Sequence, residues 1–233
     1  MSDTAGGLDR EQILRLLDDL SSRAKQRGVR VEMFLVGGAA MVLVYNTART
    51  TKDVEGIFEP EMVAYEIAAE IAKDSDLGLA PDWLNDAVKA FPFPGDRVDD
   101  AAKVIYENDG LDIRVASPRY LFAMKAWSGR ESDEEDLRVL WPLCQFVDAA
   151  EGLDYIEAAY PSATLKSRTQ YVVEDIAATV WPDRVRQREL PAEMDSLNSH
   201  GGGMPSAVCR PVVWVHPHAR RGRPVRGYWR RLR

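Results

Sequence analysis

In the stretch FLVGGAAMVLVYNTARTTKDVEGIF, residues 34–58, an apolar run meets two glycines and ends at two acids one residue apart. On an extended strand Asp53 and Glu55 share one face and Val54 takes the other. Two carboxylates about 7 Å apart at the Cα level repel each other, which a solvated face tolerates without consequence. A divalent cation offsets the repulsion, and Mg²⁺ prefers carboxylate oxygens together with the phosphate oxygens of a substrate. Gly37 and Gly38 stand where a strand would turn into a helix, and such a junction cradles phosphates on backbone N–H groups. Together the glycines and the acids read as a site for a nucleoside triphosphate with Mg²⁺ or Mn²⁺.

Other chemistries are excluded by what the sequence lacks. Its three histidines are His200, His216 and His218, so the first 199 residues hold neither a Ser-His-Asp triad nor a His-ligated zinc site. Cys209, His216 and His218 fit no zinc spacing, and Cys144 and Cys209 do not make a disulfide framework. No apolar run reaches the roughly 18 residues of a membrane span. The segment MSDTAGGLDREQ has neither the basic nor the apolar region of a secretory signal. The expectation is a cytoplasmic protein with no membrane association.

The elements that must position these residues can be read from periodicity. Asp9 to Gln12 has the form of a capping box, and Ile13, Leu16, Leu17, Leu20 and Ala24 follow at helical spacing up to Gly28. Residues 29–36 alternate as a strand, residues 37–46 suggest a helix opening at the glycines, and TKDVEGIFE suggests a second strand. Pro60 and Pro81 each stand where a helix can open, the second over PDWLNDAVKAF. AKVIYENDGLDIRVA reads as a hairpin about the Asp109-Gly110 turn. Ser117 and Pro118 start a helix that Gly129 stops, and Ser132 to Glu135 suggest a capping box for the next. Two further helices are expected near residues 151–159 and 168–180. The order predicts an α+β fold, a small mixed sheet flanked by helices with a helical C-terminal part.

Charge divides the chain. Residues 201–233 carry eight arginines and no acid, which leaves 22 basic and 37 acidic residues, a net of −15, in the first 200. SLNSHGGGMPS reads as a flexible linker, and the segment after it mixes Trp214, Tyr228 and Trp229 with arginines. Such a tail suits contact with RNA, whose phosphates bind arginine and whose unpaired bases stack on aromatics. The expected divisions are residues 1–116 as a core, 117–181 as the helical part, and 182–233 as linker and tail.

The ordered set Gly37-Gly38, Arg49-x-Thr51-x-Asp53-x-Glu55 resembles the nucleotidyltransferase signature. DWLND (82–86), ASPRYLFAMKAW (116–127) and RESDEEDL (130–137) extend the resemblance to the AbiEii/MenT-like nucleotidyltransferases, toxins of type IV-like toxin–antitoxin systems. It covers roughly residues 10–180 and leaves the tail outside. The resemblance implies a nucleotidyltransferase core. Gly37 and Gly38 would hold the triphosphate, with Arg49 and Thr51 in the nucleotide-binding set. Asp53 and Glu55 would hold Mg²⁺, with Asp112 on the LDIRV strand as candidate third acid. Lys125 would contact phosphate, and Arg130 and Asp133 would complete the site in a Lys-x4-Arg-x2-Asp arrangement. NMP would pass from an NTP to an RNA acceptor, a tRNA 3′ end, and an antitoxin protein would be a partner. Glu55 departs from the aspartate more usual there, and one extra methylene changes the geometry offered to Mg²⁺.

Two rivals stand beside this reading. One is transfer to a small molecule or a protein, which the acidic body favours. The other is a catalytically weak binding module that keeps the fold, which rests on Glu55.

Overall fold

Asp9 caps the first helix, α1 (Arg10–Gln26), through the predicted box: its carboxylate accepts from the Gln12 N–H and the Gln12 side chain accepts from the Asp9 N–H. The computed structural model describes residues 7–46, 48–90, 92–94, 99–161 and 164–180, and the backbone alone of four short segments between residues 212 and 231. Strand β1 (Val31–Leu35) follows α1, and the chain then enters α2 (Gly37–Ala40), which widens at once into a π-helical turn, Met41–Tyr45. Arg10 Nε donates to the Leu43 carbonyl at 3.2 Å, and the Tyr45 hydroxyl donates to the Ala116 carbonyl at 2.7 Å. These bonds tie the turn to α1 and to the end of a strand further along.

Strand β2 (Val54–Glu59) alternates as predicted, with Val54, Gly56 and Phe58 buried and Glu55, Ile57 and Glu59 half-buried. Helix α3 (Glu61–Asp74) follows Pro60. The helix expected at Pro81 is not formed. Leu84–Asn85 is instead a short strand, β3, and Ala87–Ala90 a single 3₁₀ turn. Trp83 and Leu84 are both buried, and the Trp83 carbonyl accepts from the Val54 N–H at 2.6 Å. Pairing with β2 buries two adjacent large side chains, which one face of a surface helix does not do.

The Asp109-Gly110 hairpin is present as β4 (Lys103–Glu107) and β5 (Leu111–Val115). The five strands form one mixed sheet in the order β3-β2-β1-β5-β4. β1 runs antiparallel to β2 and parallel to β5, and β2 runs parallel to β3.

Helix α4 (Pro118–Ser128) starts at the Ser117 cap and stops at Gly129, whose φ is +61°. The capping box expected at Ser132 is absent. A 3₁₀ turn over Glu131–Asp133 leads into α5 (Glu134–Cys144), and the Asp133 side chain makes no capping bond. Helices α6 (Ala149–Ala159) and α7 (Ser167–Val180) complete this part of the chain. One apolar core runs through it from Leu8 to Ala177. None of the described helices is long and apolar enough to cross a membrane.

The arginine-rich tail is described in four short segments. Its described parts form strands: β6 (Val212–Val215) pairs with β9 (Tyr228–Arg231), and β7 (His218–Arg220) with β8 (Arg223–Val225). The linker expected at residues 196–206 lies outside the described residues.

Candidate active site

β1 delivers the chain to Gly37 beside β2, where the Val36 N–H donates to the Glu55 carbonyl at 3.1 Å. Gly37 has φ +62°, and a Cβ there would stand 2.7 Å from Glu55 Oε2. Glycine therefore permits both the left-handed backbone and the acid lying against it. A Cβ on Gly38 would collide with the Thr51 side chain. Thr51 is itself fixed by backbone bonds with Leu8, at 2.6 and 2.9 Å, and its hydroxyl donates to the Asp53 carbonyl at 3.2 Å. The two glycines and the two ends of the Thr51–Glu55 segment thus form one packed unit.

Asp53 immediately precedes β2 and Glu55 lies within it, on the less buried side of the alternation. Burial, and then the neighbouring charge of Asp53, push the Glu55 carboxyl above the usual range, while Arg130 and Lys125 pull it back. Asn85, the register partner of Glu55 on β3, donates from Nδ2 to Asp53 Oδ2 at 2.9 Å. Two anionic oxygen donors whose mutual repulsion a cation would relieve are a fit for Mg²⁺ or Mn²⁺ shared with phosphate oxygens. No cluster of three or more His, Cys, Asp or Glu suited to a metal occurs among the described residues. Substrate and water oxygens would have to supply the remaining ligands.

The opposite wall comes from α4 and the start of α5. Lys125, buried on α4, reaches Asp133 Oδ1 at 2.7 Å and Asp136 Oδ2 at 2.8 Å. The Ser128 hydroxyl donates to Asp133 Oδ2 at 2.8 Å. Asp133 is drawn to Lys125 and Ser128, which is why it leaves α5 without a side-chain cap. Asp136 is wholly buried and also pairs with Arg49. Between the walls lies an open cleft of about 550 Å³, its mouth included. Gly37, Glu55, Lys125, Ser128, Arg130 and Asp133 are among its lining residues. Leu121, Met124, Trp127 and Val88 line an apolar part, with Tyr160 stacked on Trp127 at 5.0 Å between ring centroids. The polar residues can meet a charged phosphate chain, and the apolar and aromatic ones offer surface to a base.

Residues 11–151 match the sequence family described as nucleotidyltransferase of unknown function (DUF6036). The chain belongs to this family. It is accordingly a nucleotidyltransferase enzyme that takes an NTP as donor, and its five-stranded mixed sheet with flanking helices is consistent with that fold. No curated protein and no solved structure matches the chain.

The matched segment holds every site residue expected from the sequence, but the structure does not bring all of them together. Gly37, Glu55, Lys125, Arg130 and Asp133 share the cleft. Asp53 is not among the lining residues, though its charge acts on Glu55, and Gly38 packs against Thr51. Arg49, expected at the nucleotide, is engaged with buried Asp136 and is not among the lining residues. Asp112, expected as a third acid, pairs in register with Glu32 of β1, which in turn faces Glu59 of β2. Four residues of strand separate Glu59 from Glu55, about 13 Å. The Asp112 carboxylate ion-pairs with Arg30 at 3.1 Å instead, so it belongs to the other end of the sheet.

Asn85, Asp136, Trp127 and Tyr160 are not singled out as site residues by the sequence. Asn85 lies in the DWLND segment of the resemblance, but its contact with Asp53 follows only from placing Leu84–Asn85 on a strand next to β2. Asp136 lies one helical turn beyond Asp133, the spacing at which two acids face the same neighbour. Trp127 closes the ASPRYLFAMKAW segment, but its stacking on Tyr160 has no signal in the sequence, because the two stand over thirty residues apart.

Proposed function

We propose that the protein transfers NMP from an NTP to the 3′ end of tRNA as an AbiEii/MenT-like toxin, and that an antitoxin protein restrains it. The observation that carries the transfer reading is the convergence of Gly37, Glu55, Lys125, Arg130 and Asp133 on one cleft from two separate parts of the chain. Residues 1–116 supply the transferase core, 117–181 the helices that close the cleft, and 182–233 a basic tail. The eight arginines of residues 201–233 and Trp214, Tyr228 and Trp229 are what favour an RNA acceptor.

The triphosphate lies on the Gly37-Gly38 turn, with its base toward Trp127. Asp53 and Glu55 would hold Mg²⁺ or Mn²⁺, which when bound would offset charge on the phosphate oxygens. The acceptor hydroxyl attacks the α-phosphorus, the α–β phosphoanhydride bond breaks, and pyrophosphate leaves. Lys125 and Arg130 stabilise the charge that builds on the leaving oxygens. Asp133 fixes the Lys125 ammonium so that a donor faces the cleft without a search of rotamers.

The test is transfer of label from each α-labelled NTP to total tRNA with Mg²⁺ or Mn²⁺, for wild type and Asp53→Ala. Label on RNA is expected for wild type and at least a hundredfold less for the variant. The net charge of −15 on residues 1–200 favours a second reading, a cationic small-molecule acceptor. Label on such an acceptor and none on RNA would select it.

A further inference from the structure

The place next to the acid pair in the sheet is held by an amide. β3 runs parallel to β2 with Asn85 opposite Glu55, so Asn85 is the residue whose strand position can bring a third group to Asp53 and Glu55. Its amide is fixed at three points. Nδ2 donates to Asp53 Oδ2 at 2.9 Å and to the Asp82 carbonyl at 3.2 Å, and Oδ1 accepts from the Ala87 N–H at 3.1 Å. The two acceptors and the one donor dictate which way the amide faces. The amide therefore holds the Asp53 carboxylate in one orientation and adds no charge to the acid pair.

We propose that Asn85 is a positioning residue that limits the site to two anionic ligands, so that the divalent cation enters with the nucleotide rather than before it. The inference rests on the metal-dependent reading above. With Asp53 and Glu55 as its two carboxylates and no third acid at position 85, the protein supplies too few ligands for an ion that takes six. The phosphates of the incoming NTP supply the missing oxygens and the missing charge. An aspartate at position 85 would turn the donor into a third carboxylate facing Asp53. That arrangement is repulsive when empty and attractive to a cation without any nucleotide.

The experiment is Mn²⁺ titration followed by water proton relaxation enhancement, with and without an α,β-methylene NTP, on wild type, Asn85→Asp and Asn85→Ala. Each variant is compared with itself in EDTA by melting temperature. Wild type is expected to bind Mn²⁺ at least tenfold more tightly with the analogue than without it. Asn85→Asp is expected to melt lower than wild type in EDTA and to bind Mn²⁺ alone at least tenfold more tightly than wild type. Asn85→Ala is expected to weaken Mn²⁺ binding in the presence of the analogue about tenfold, because Asp53 is no longer oriented. Tight Mn²⁺ binding by wild type alone, or unchanged Mn²⁺ affinity in both variants, would overturn the inference. Loss of stability in Asn85→Ala with unchanged Mn²⁺ affinity would make the amide a loop brace only. No Mn²⁺ bound by wild type even with the analogue would instead sink the metal-dependent reading.

Discussion

Glu55 carries electrostatic strain from burial and from its neighbour. Burial and Asp53 raise its pKa in the folded protein, whereas in the unfolded chain it titrates in the ordinary range near about 4.3. A raised acid binds its proton more tightly when folded, so metal-free stability falls as pH climbs from that range through the raised value. Glu55→Gln should therefore melt higher than wild type in EDTA at neutral pH and show a flatter pH dependence of melting. It should also lose the stabilisation that Mn²⁺ and nucleotide give together. Asp136 makes the opposite case. It is wholly buried between Lys125 and Arg49, and removing it leaves two cations without their shared anion. Asp136→Ala should cost about 3 kcal/mol in urea unfolding. An unchanged midpoint would mean that Asp133 alone balances Lys125.

Among the elements, the site is a meeting of one turn and one strand. Gly37 has a left-handed backbone and touches the Glu55 carboxylate. Gly37→Ala should cost about 1–2 kcal/mol for the backbone alone, and the added Cβ must also move Glu55. We expect a drop in melting temperature of a few degrees and a loss of turnover of at least tenfold. Activity near wild type would mean that Glu55 can shift without effect on the reaction. The elements around this turn are legible in the sequence to different degrees. The capping box at Asp9 and the Asp109-Gly110 hairpin are local: the residues that define them also satisfy each other's hydrogen bonds. The segment after Pro81 reads as a helix because helix and strand compete closely there, and the edge of β2 decides between them. The capping box at Ser132 fails because a 3₁₀ turn takes up Glu131–Asp133 and α5 begins only at Glu134, with Asp133 in the cap position and tied to Lys125.

For the whole molecule, the division of charge matters most. An acidic body of net −15 repels RNA, so the arginines of the tail would have to carry the attraction. A chain ending at residue 200 should bind tRNA more weakly, and the slope of log K against log salt should become shallower. On single-stranded RNA the slope should change by about 0.7 for each phosphate that the tail neutralises. Transfer to a small acceptor should be unaffected. An unchanged slope would place RNA binding on the body and leave the tail without that role.

Spacing along the chain was enough to set out the chemistry on offer: two glycines, an acid pair on one strand face, and a Lys-x4-Arg-x2-Asp run on helices. Those features depend on intervals of a few residues, which backbone geometry converts directly into direction. Which groups share the site was settled by packing. Asp112 and Asn85 both lie on strands, but register puts Asp112 level with Glu59, at the far end of β2 from Glu55, and puts Asn85 opposite Glu55. Arg49 and Lys125, over seventy residues apart, meet on Asp136 because α5 packs where both can reach it. Strand order and helix docking minimise the exposed apolar surface of the entire chain, and no local spacing encodes that sum.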